Sequence, residues 1–248
     1  MTLRSDLISS AMLLTRLPIG RVLPGDPTPQ AANAAWAWPL AGLAVGVPAG
    51  ALGMGIAASG LPGGIAAALT LLCLVMLTGA MHEDGLADLA DGFWGGFTPD
   101  RRLEIMRDSR IGAYGVIALI LSLLGRWLLL EAALSQGNLF GATVVAAVVS
   151  RAPMGVVMRW LPPARNDGLS RTSGQPPKKA VRIAIAIAGV ALLSQGLLHA
   201  VLAVALVAGV AWSLGLVARA KIGGQTGDVL GAVQQLCEIA VLAALVAR

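Results

Sequence analysis

Residues 27–82 read PTPQAANAAWAWPLAGLAVGVPAGALGMGIAASGLPGGIAAALTLLCLVMLTGAMH, a run of 56 residues between Asp26 and Glu83 without Asp, Glu, Lys or Arg. A helix crosses the ~30 Å hydrocarbon core of a bilayer in about 20 residues. This run is too long for one straight span and suits two, parted at Pro62-Gly63-Gly64. A second uncharged run of 36 residues separates Arg182 from Arg219 and divides at Ser194-Gln195-Gly196. Only helices and closed barrels satisfy their backbone inside lipid. Barrel strands alternate apolar and polar residues, and these runs do not. The fold class is therefore all-α, a polytopic transmembrane helical bundle.

Composition agrees. Of 248 residues, 56% are hydrophobic and 12% charged, against about 25% charged in a soluble domain. So few charges could not cover a soluble globule, and disorder needs low hydrophobicity. Cys73 and Cys237 both sit in apolar segments, which argues against a disulfide framework or a thiolate metal site. A pI near 10.0 could point to nucleic acid, but basic loops in a membrane protein more often report topology, so no nucleic-acid partner is expected.

Seven spans are expected, at about 35–58, 62–81, 111–134, 139–160, 180–196, 198–218 and 229–247, in a single domain over 1–248. A short interfacial helix covers 2–17 and a cytoplasmic acidic region covers 82–110. With this count, 14 of the 18 basic residues fall on one side: Arg4, Arg16, Arg21, Arg101, Arg102, Arg107, Arg110, Arg165, Arg171, Lys178, Lys179, Arg182, Arg219 and Lys221. The opposite loops, near 59–61, 135–138 and 197, hold none. The asymmetry predicts the N-terminus inside and the C-terminus outside.

Seven of the 13 acidic residues fall between Glu83 and Asp108. The core of that stretch is His82-Glu83-Asp84-Gly85-Leu86-Ala87-Asp88-Leu89-Ala90-Asp91-Gly92. Asp84, Asp88 and Asp91 stand at i, i+4 and i+7, one face of a helix. Like charges so spaced repel, and a cation reverses the sign. Carboxylates without nearby thiols suit a hard ion such as Mg²⁺, which pairs one or two carboxylates with substrate phosphates. A solvated juxtamembrane helix is the plainer alternative, but it leaves three aspartates without interleaved lysines unexplained. His82 alone is as readily a structural histidine as a ligand or acid.

Further on, Arg107-Asp108-Ser109-Arg110 offers guanidinium forks suited to phosphate, or simple positive-inside anchors and local ion pairs. A third polar island, Gly223-Gly224-Gln225-Thr226-Gly227-Asp228, precedes the last span. Its glycines admit close backbone approach and a helix N-terminus favours anions. Asp228 either caps that helix or ligates a metal. Within the spans, Arg151 is the charge most suggestive of function, and Arg126 with Glu131 reads as a structural pair.

These islands, in this order, resemble the cobalamin synthase family, the adenosylcobinamide-GDP ribazoletransferases. The resemblance runs through Leu14-Thr15-Arg16-Leu17-Pro18, Trp38-Pro39-Leu40-Ala41-Gly42, the His82–Gly92 stretch, Arg102–Gly112, Ser150-Arg151 and Gly223–Ala232 with Glu238. Glu83 stands where the family pattern leads one to expect an apolar residue, and 161–180 matches poorly and receives no role. The resemblance implies that a hydroxyl of α-ribazole, or of its 5′-phosphate, attacks the phosphate of adenosylcobinamide-GDP, with GMP leaving. It implies Mg²⁺ as cofactor, by likeness to alcohol phosphatidyltransferases with a DGxxA-type motif, and a bacterial inner-membrane location facing the cytoplasm.

Carried onto this chain, Asp84, Asp88, Asp91 and Asp228 become metal ligands. Arg107, Arg110, Arg151, Gly223, Gly224 and Thr226 become substrate contacts. Asp108 or His82 becomes the proton acceptor, the choice left open. Phosphoryl transfer needs charge neutralisation and positioning more than covalent catalysis, which fits these residue types. The corrinoid nucleotide, α-ribazole and membrane lipid are the expected partners; a homo-oligomer or a complex with other cobalamin-assembly enzymes stays open. The rivals are a membrane transporter, whose site would lie near the midplane, and a phosphotransferase acting on a lipid alcohol.

Overall fold

The computed structural model describes residues 3–19 and 31–247. Thr2, Arg21 and Arg248, which carry parts of the expected interfacial helix and charge map, lie outside them. The described residues form helices and no strand ladder. The helices are α1 (Leu3–Leu14), α2 (Trp38–Ala58), α3 (Gly63–Thr78), α4 (Met81–Gly95), α5 (Pro99–Ile105), α6 (Ala113–Ser135), α7 (Leu139–Val149), α8 (Ala152–Trp160), α9 (Leu169–Ser173), α10 (Lys178–Leu193), α11 (Leu197–Ile222) and α12 (Gly227–Val246). A 3-10 turn, Ala31–Ala37, leads into α2.

Each of the seven expected spans is occupied by apolar helix, but five are long and apolar enough to cross a membrane alone: 31–58, α6, 139–160, α11 and α12. α3 and α10 have 16 residues each, or about 24 Å at ~1.5 Å per residue. α3 and α4 count as a sixth span only if taken as one bent unit. The chain is a membrane protein, and its described residues hold five or six such helices where seven spans had been expected.

α3 also ends before the expected 81. Gly79 and Ala80 both take left-handed backbone, at φ 67° and 57°, and α4 leaves at 87° to α3. Ala80 pays a steric cost there that glycine would not. The corner is pinned from the N-terminal segment, where the Arg16 N–H donates to the Leu77 carbonyl at 2.7 Å. α4 thus lies outside the five spans and carries the acidic motif across the end of the bundle.

The span 139–160 is one run in register but broken at Ser150–Arg151. Pro153, with no N–H to donate, sits at the start of α8. α2 packs on α7 through glycines four residues apart. A side chain on Gly42 would overlap the Ala147 carbonyl, and one on Gly46 would lie 3.0 Å from the Val144 Cα. Such small-residue stripes let helix backbones approach where lipid supplies no hydrophobic drive. α1 packs on the 3-10 turn: Trp36 Nε1 donates to Asp6 at 2.9 Å and Ser10 Oγ to the Ala34 carbonyl at 3.0 Å. α12 is largely buried, with α4, α6, α7 and α11 around it.

Candidate active site

The site begins where α4 crosses α12. A methyl on Gly85 would lie 3.1 Å from the Asp228 backbone, and Gly231 faces Gly85 and His82 as closely. Two glycines therefore set the crossing, and it brings the flanking acids together. Asp84 and Asp228 line one cavity of about 200 Å³ with His82, Trp38, Met158, Arg165 and Ser170. Thr226 caps α12, accepting from the Val229 N–H at 3.3 Å and donating to Asp228 Oδ2 at 3.1 Å. Its hydroxyl is committed to the helix start.

Asp88, one turn beyond Asp84, is half-buried. Burial, then the carboxylates of Asp84, Asp228 and Asp91, pushes it up to about 7, against the opposing pull of Arg165. Asp84, Asp88 and Asp228 thus form one mutually repelling group, which is the electrostatic condition that a bound cation relieves.

Asp91 behaves differently. Its two oxygens accept the N–H groups of Gly112, at 2.7 Å, and Gly115, at 2.9 Å. It caps the N-terminus of α6, where four N–H groups lack helical partners, and the two glycines leave room for it. The expected i, i+4, i+7 triad is therefore one acid on the cavity wall, a second one turn further along α4, and a helix cap.

The basic residues are also redistributed. Arg107 donates through Nη2 to both carboxylate oxygens of Asp167, at 2.6 and 2.8 Å. Arg110 pairs with Asp108 at 2.6 Å, and its own N–H reaches the same carboxylate. That contact holds Asp108 down at about 2, so it stays ionised, paired and exposed. None of these three lines the cavity.

Arg151 is buried within the bundle, donating to the Ala147 carbonyl. It borders a second, very small polar void with Glu83, Arg126, Gln234, Gln235 and Glu238. Arg126 pairs with Glu83 and Glu238, not with Glu131 as expected. Glu83 consequently belongs to this interior network and not to the acids beside the cavity. His82 is 1% exposed, borders both the cavity and this network, and its Nε2 has no hydrogen-bond partner.

The segment after α8, given no role from sequence, closes the cavity. The Ala164 N–H donates to the Gln225 carbonyl at 2.9 Å, and the Gln225 N–H to the Pro162 carbonyl at 2.8 Å. Ser170 donates to the Gln225 side chain. A side chain on Gly224 would overlap the Pro162 carbonyl, so this glycine admits backbone pairing. Gly223 ends α11 in left-handed backbone at φ 77°. Through these contacts Arg165 reaches the acids, a placement no periodicity in a loop could signal.

Carboxylates of two crossing helices, gathered at one end of an apolar bundle beside a loop that brings Arg165 to them, define an integral membrane protein with a polar, carboxylate-lined site at the end of its spans. The chain belongs to the cobalamin-5-phosphate synthase family, whose model matches residues 6–246. It is 45% identical over 239 residues to the adenosylcobinamide-GDP ribazoletransferase of Bradyrhizobium diazoefficiens, covering 96% of this chain and 92% of that one. It is 45% identical to the protein of the same name from Azorhizobium caulinodans, with 96% and 94% covered. The Mesorhizobium japonicum protein of that name is 44% identical, with 96% and 91% covered. No solved structure matches the chain. The family makes this chain a transferase of cobalamin biosynthesis.

Proposed function

We propose that the protein joins adenosylcobinamide-GDP to α-ribazole or α-ribazole 5′-phosphate, releasing GMP and giving adenosylcobalamin or its 5′-phosphate. The observation that carries this reading is the meeting of Asp84 and Asp228 on the wall of one cavity, with Asp88 one turn along α4 feeling the charge of both, in a chain whose relatives bear that reaction in their names. Among the described residues no three His, Cys, Asp or Glu side chains converge closely enough to enclose a metal by themselves. Mg²⁺ does not require that, because it binds through one or two carboxylates and completes its shell with water and substrate phosphate. Hard oxygen donors at a repelling cluster fit it. Asp84, Asp88 and Asp228 would hold the ion, and Asp91 is left to α6. When bound, the ion would neutralise phosphate charge and polarise the P–O bond under attack.

The chain's own residues supply the rest. His82, with its unpartnered Nε2, accepts the proton from the attacking hydroxyl; Asp108, paired with Arg110 and held at about 2, is a poor base. Apolar walls from Leu13, Leu14, Trp38, Met154 and Met158 exclude water from the reacting phosphate. The transporter reading loses its main support, since the intramembrane charges of Arg126, Glu83 and Glu238 satisfy one another.

Membranes bearing the protein should release GMP from adenosylcobinamide-GDP only when α-ribazole or its phosphate and Mg²⁺ are present. No GMP under any condition, or preference for a nucleotide-activated lipid alcohol, defeats the reading. We place the site on the cytoplasmic face of the bacterial inner membrane, N-terminus inside and C-terminus outside. A reporter fused after Arg248 should be silent in the cytoplasm; a cytoplasmic signal reverses this orientation.

A further inference from the structure

Arg165 is, among the described residues, the one Lys or Arg that lines the carboxylate cavity. Its backbone is fixed there by the Pro162–Ala164 pairing with Gln225. Its side chain is only 16% exposed, yet it is loosely held. Nη2 lies 3.4 Å from Asp228 and Nε 3.7 Å from Asp167, while Nη1 is buried without any partner. The same protein closes true guanidinium–carboxylate pairs at 2.6 Å, at Arg107–Asp167 and Arg110–Asp108. Arg165 is thus a charged group, desolvated but uncommitted, beside a cluster of acids that would repel any anion. The fully buried His82, with its own unpartnered Nε2, borders the same cavity. Two open polar groups, a guanidinium and an imidazole, thus face the same space as Asp84 and Asp228, with apolar side chains forming much of the remaining wall.

We propose that Arg165 binds the diphosphate of the nucleotide-activated substrate, leaving its loose contact with Asp228 to do so. The inference rests on the phosphotransfer reading and deepens it. The guanidinium fork matches two phosphate oxygens at once and carries its charge at every working pH. At 3.4 Å the same group shields Asp228. With substrate present, its charge is aimed at the anion, which the acids alone could not attract. The short loop that carries it is clasped to Arg107 through Asp167, so the arginine expected from sequence to touch phosphate acts through the loop instead.

The test is binding of inorganic diphosphate to the full chain in detergent, with Mg²⁺, by calorimetry. Arg165→Ala should weaken it by at least about tenfold, the scale of losing hydrogen bonds to a charged group. Arg165→Lys should fall between, because an ammonium keeps the charge without the fork. Mg²⁺ alone should bind the variants as well as or better than wild type, since a competing positive charge has gone or moved. Melting curves on the same samples report folding, and where the alanine variant does not fold, Arg165→Gln replaces it with the same expected loss. Wild-type affinity for diphosphate in a folded variant overturns the proposal, as does a parallel fall in Mg²⁺ affinity, which marks a structural role. Failure of the wild type to bind diphosphate overturns it too. If diphosphate binding depends on Arg165 but no GMP is ever released from adenosylcobinamide-GDP, the transferase reading falls and the phosphate site stands.

Discussion

Asp88→Asn should lower GMP release by about 100- to 1,000-fold, the cost of removing one group aimed at developing charge, while the protein folds at least as well as wild type. The second half of that expectation separates a functional acid from a structural one. Asp88 is half-buried among Asp84, Asp228 and Asp91, and its carboxyl is pushed up to about 7, whereas an unfolded aspartate titrates near ~3.9. Below about pH 4 both states hold the proton and the acid costs the fold nothing. Between about pH 4 and 7 the unfolded chain ionises while the folded one resists, so the fold loses stability as pH rises, and the full penalty stays above pH 7.

The asparagine variant escapes that penalty. Without divalent cation it should melt higher than wild type at pH 8, with the gap closing near pH 4. Adding Mg²⁺ should raise the wild-type melting temperature and leave the variant's unchanged, because stabilisation follows binding to the folded state. Turnover within tenfold of wild type, or equal Mg²⁺ shifts in both proteins, would remove Asp88 from the site.

The bundle was legible in the sequence because hydrocarbon imposes a simple demand: uninterrupted apolar helix. α2, α6, α11 and α12 lie close to where hydropathy put them. The corner after α3 was not legible, since Ala80 has no preference for the left-handed backbone it adopts. It is held there by Arg16, from a segment more than sixty residues away. The acids were found by spacing on a single helix, but spacing could not tell which of them is already committed to backbone N–H groups. That depends on what each faces, and Asp91 faces two N–H groups of α6 that lie 21 and 24 residues along the chain. Arg165 stood in a loop whose only signal is its contact with Gln225 and Asp228. Glu83 looked like an anomaly within the acidic motif, and its reason is Arg126, which sequence had paired with Glu131.

That interior pairing carries the largest expected effect on folding. Arg126, 2% exposed, meets Glu83 at 2.7 Å and Glu238 at 2.8 Å, and its guanidinium also donates to the Gln235 side chain at 2.8 Å. Gln235 donates in turn to Glu83, and Gln234 joins Glu238 to Ser150. The network ties α4, α6 and α12 to the break between α7 and α8, and α4 bears the acids of the site.

Arg126→Met would leave two carboxylates buried beside apolar helices with Arg151 as the remaining nearby guanidinium. Stranding a buried charge costs about 3–5 kcal/mol, enough to remove most of the folded protein from detergent extracts. Glu83→Gln alone should cost much less, because Arg126 keeps Glu238. Adding Glu83→Gln to Arg126→Met should restore folded yield, since the one remaining acid, Glu238, is then balanced by the buried Arg151. Restored folding with restored GMP release would show that the network positions α4 and takes no part in chemistry; restored folding without activity would give these charges a part in the reaction. A single Arg126→Met variant with wild-type yield and melting temperature would mean that the interior pair holds nothing together.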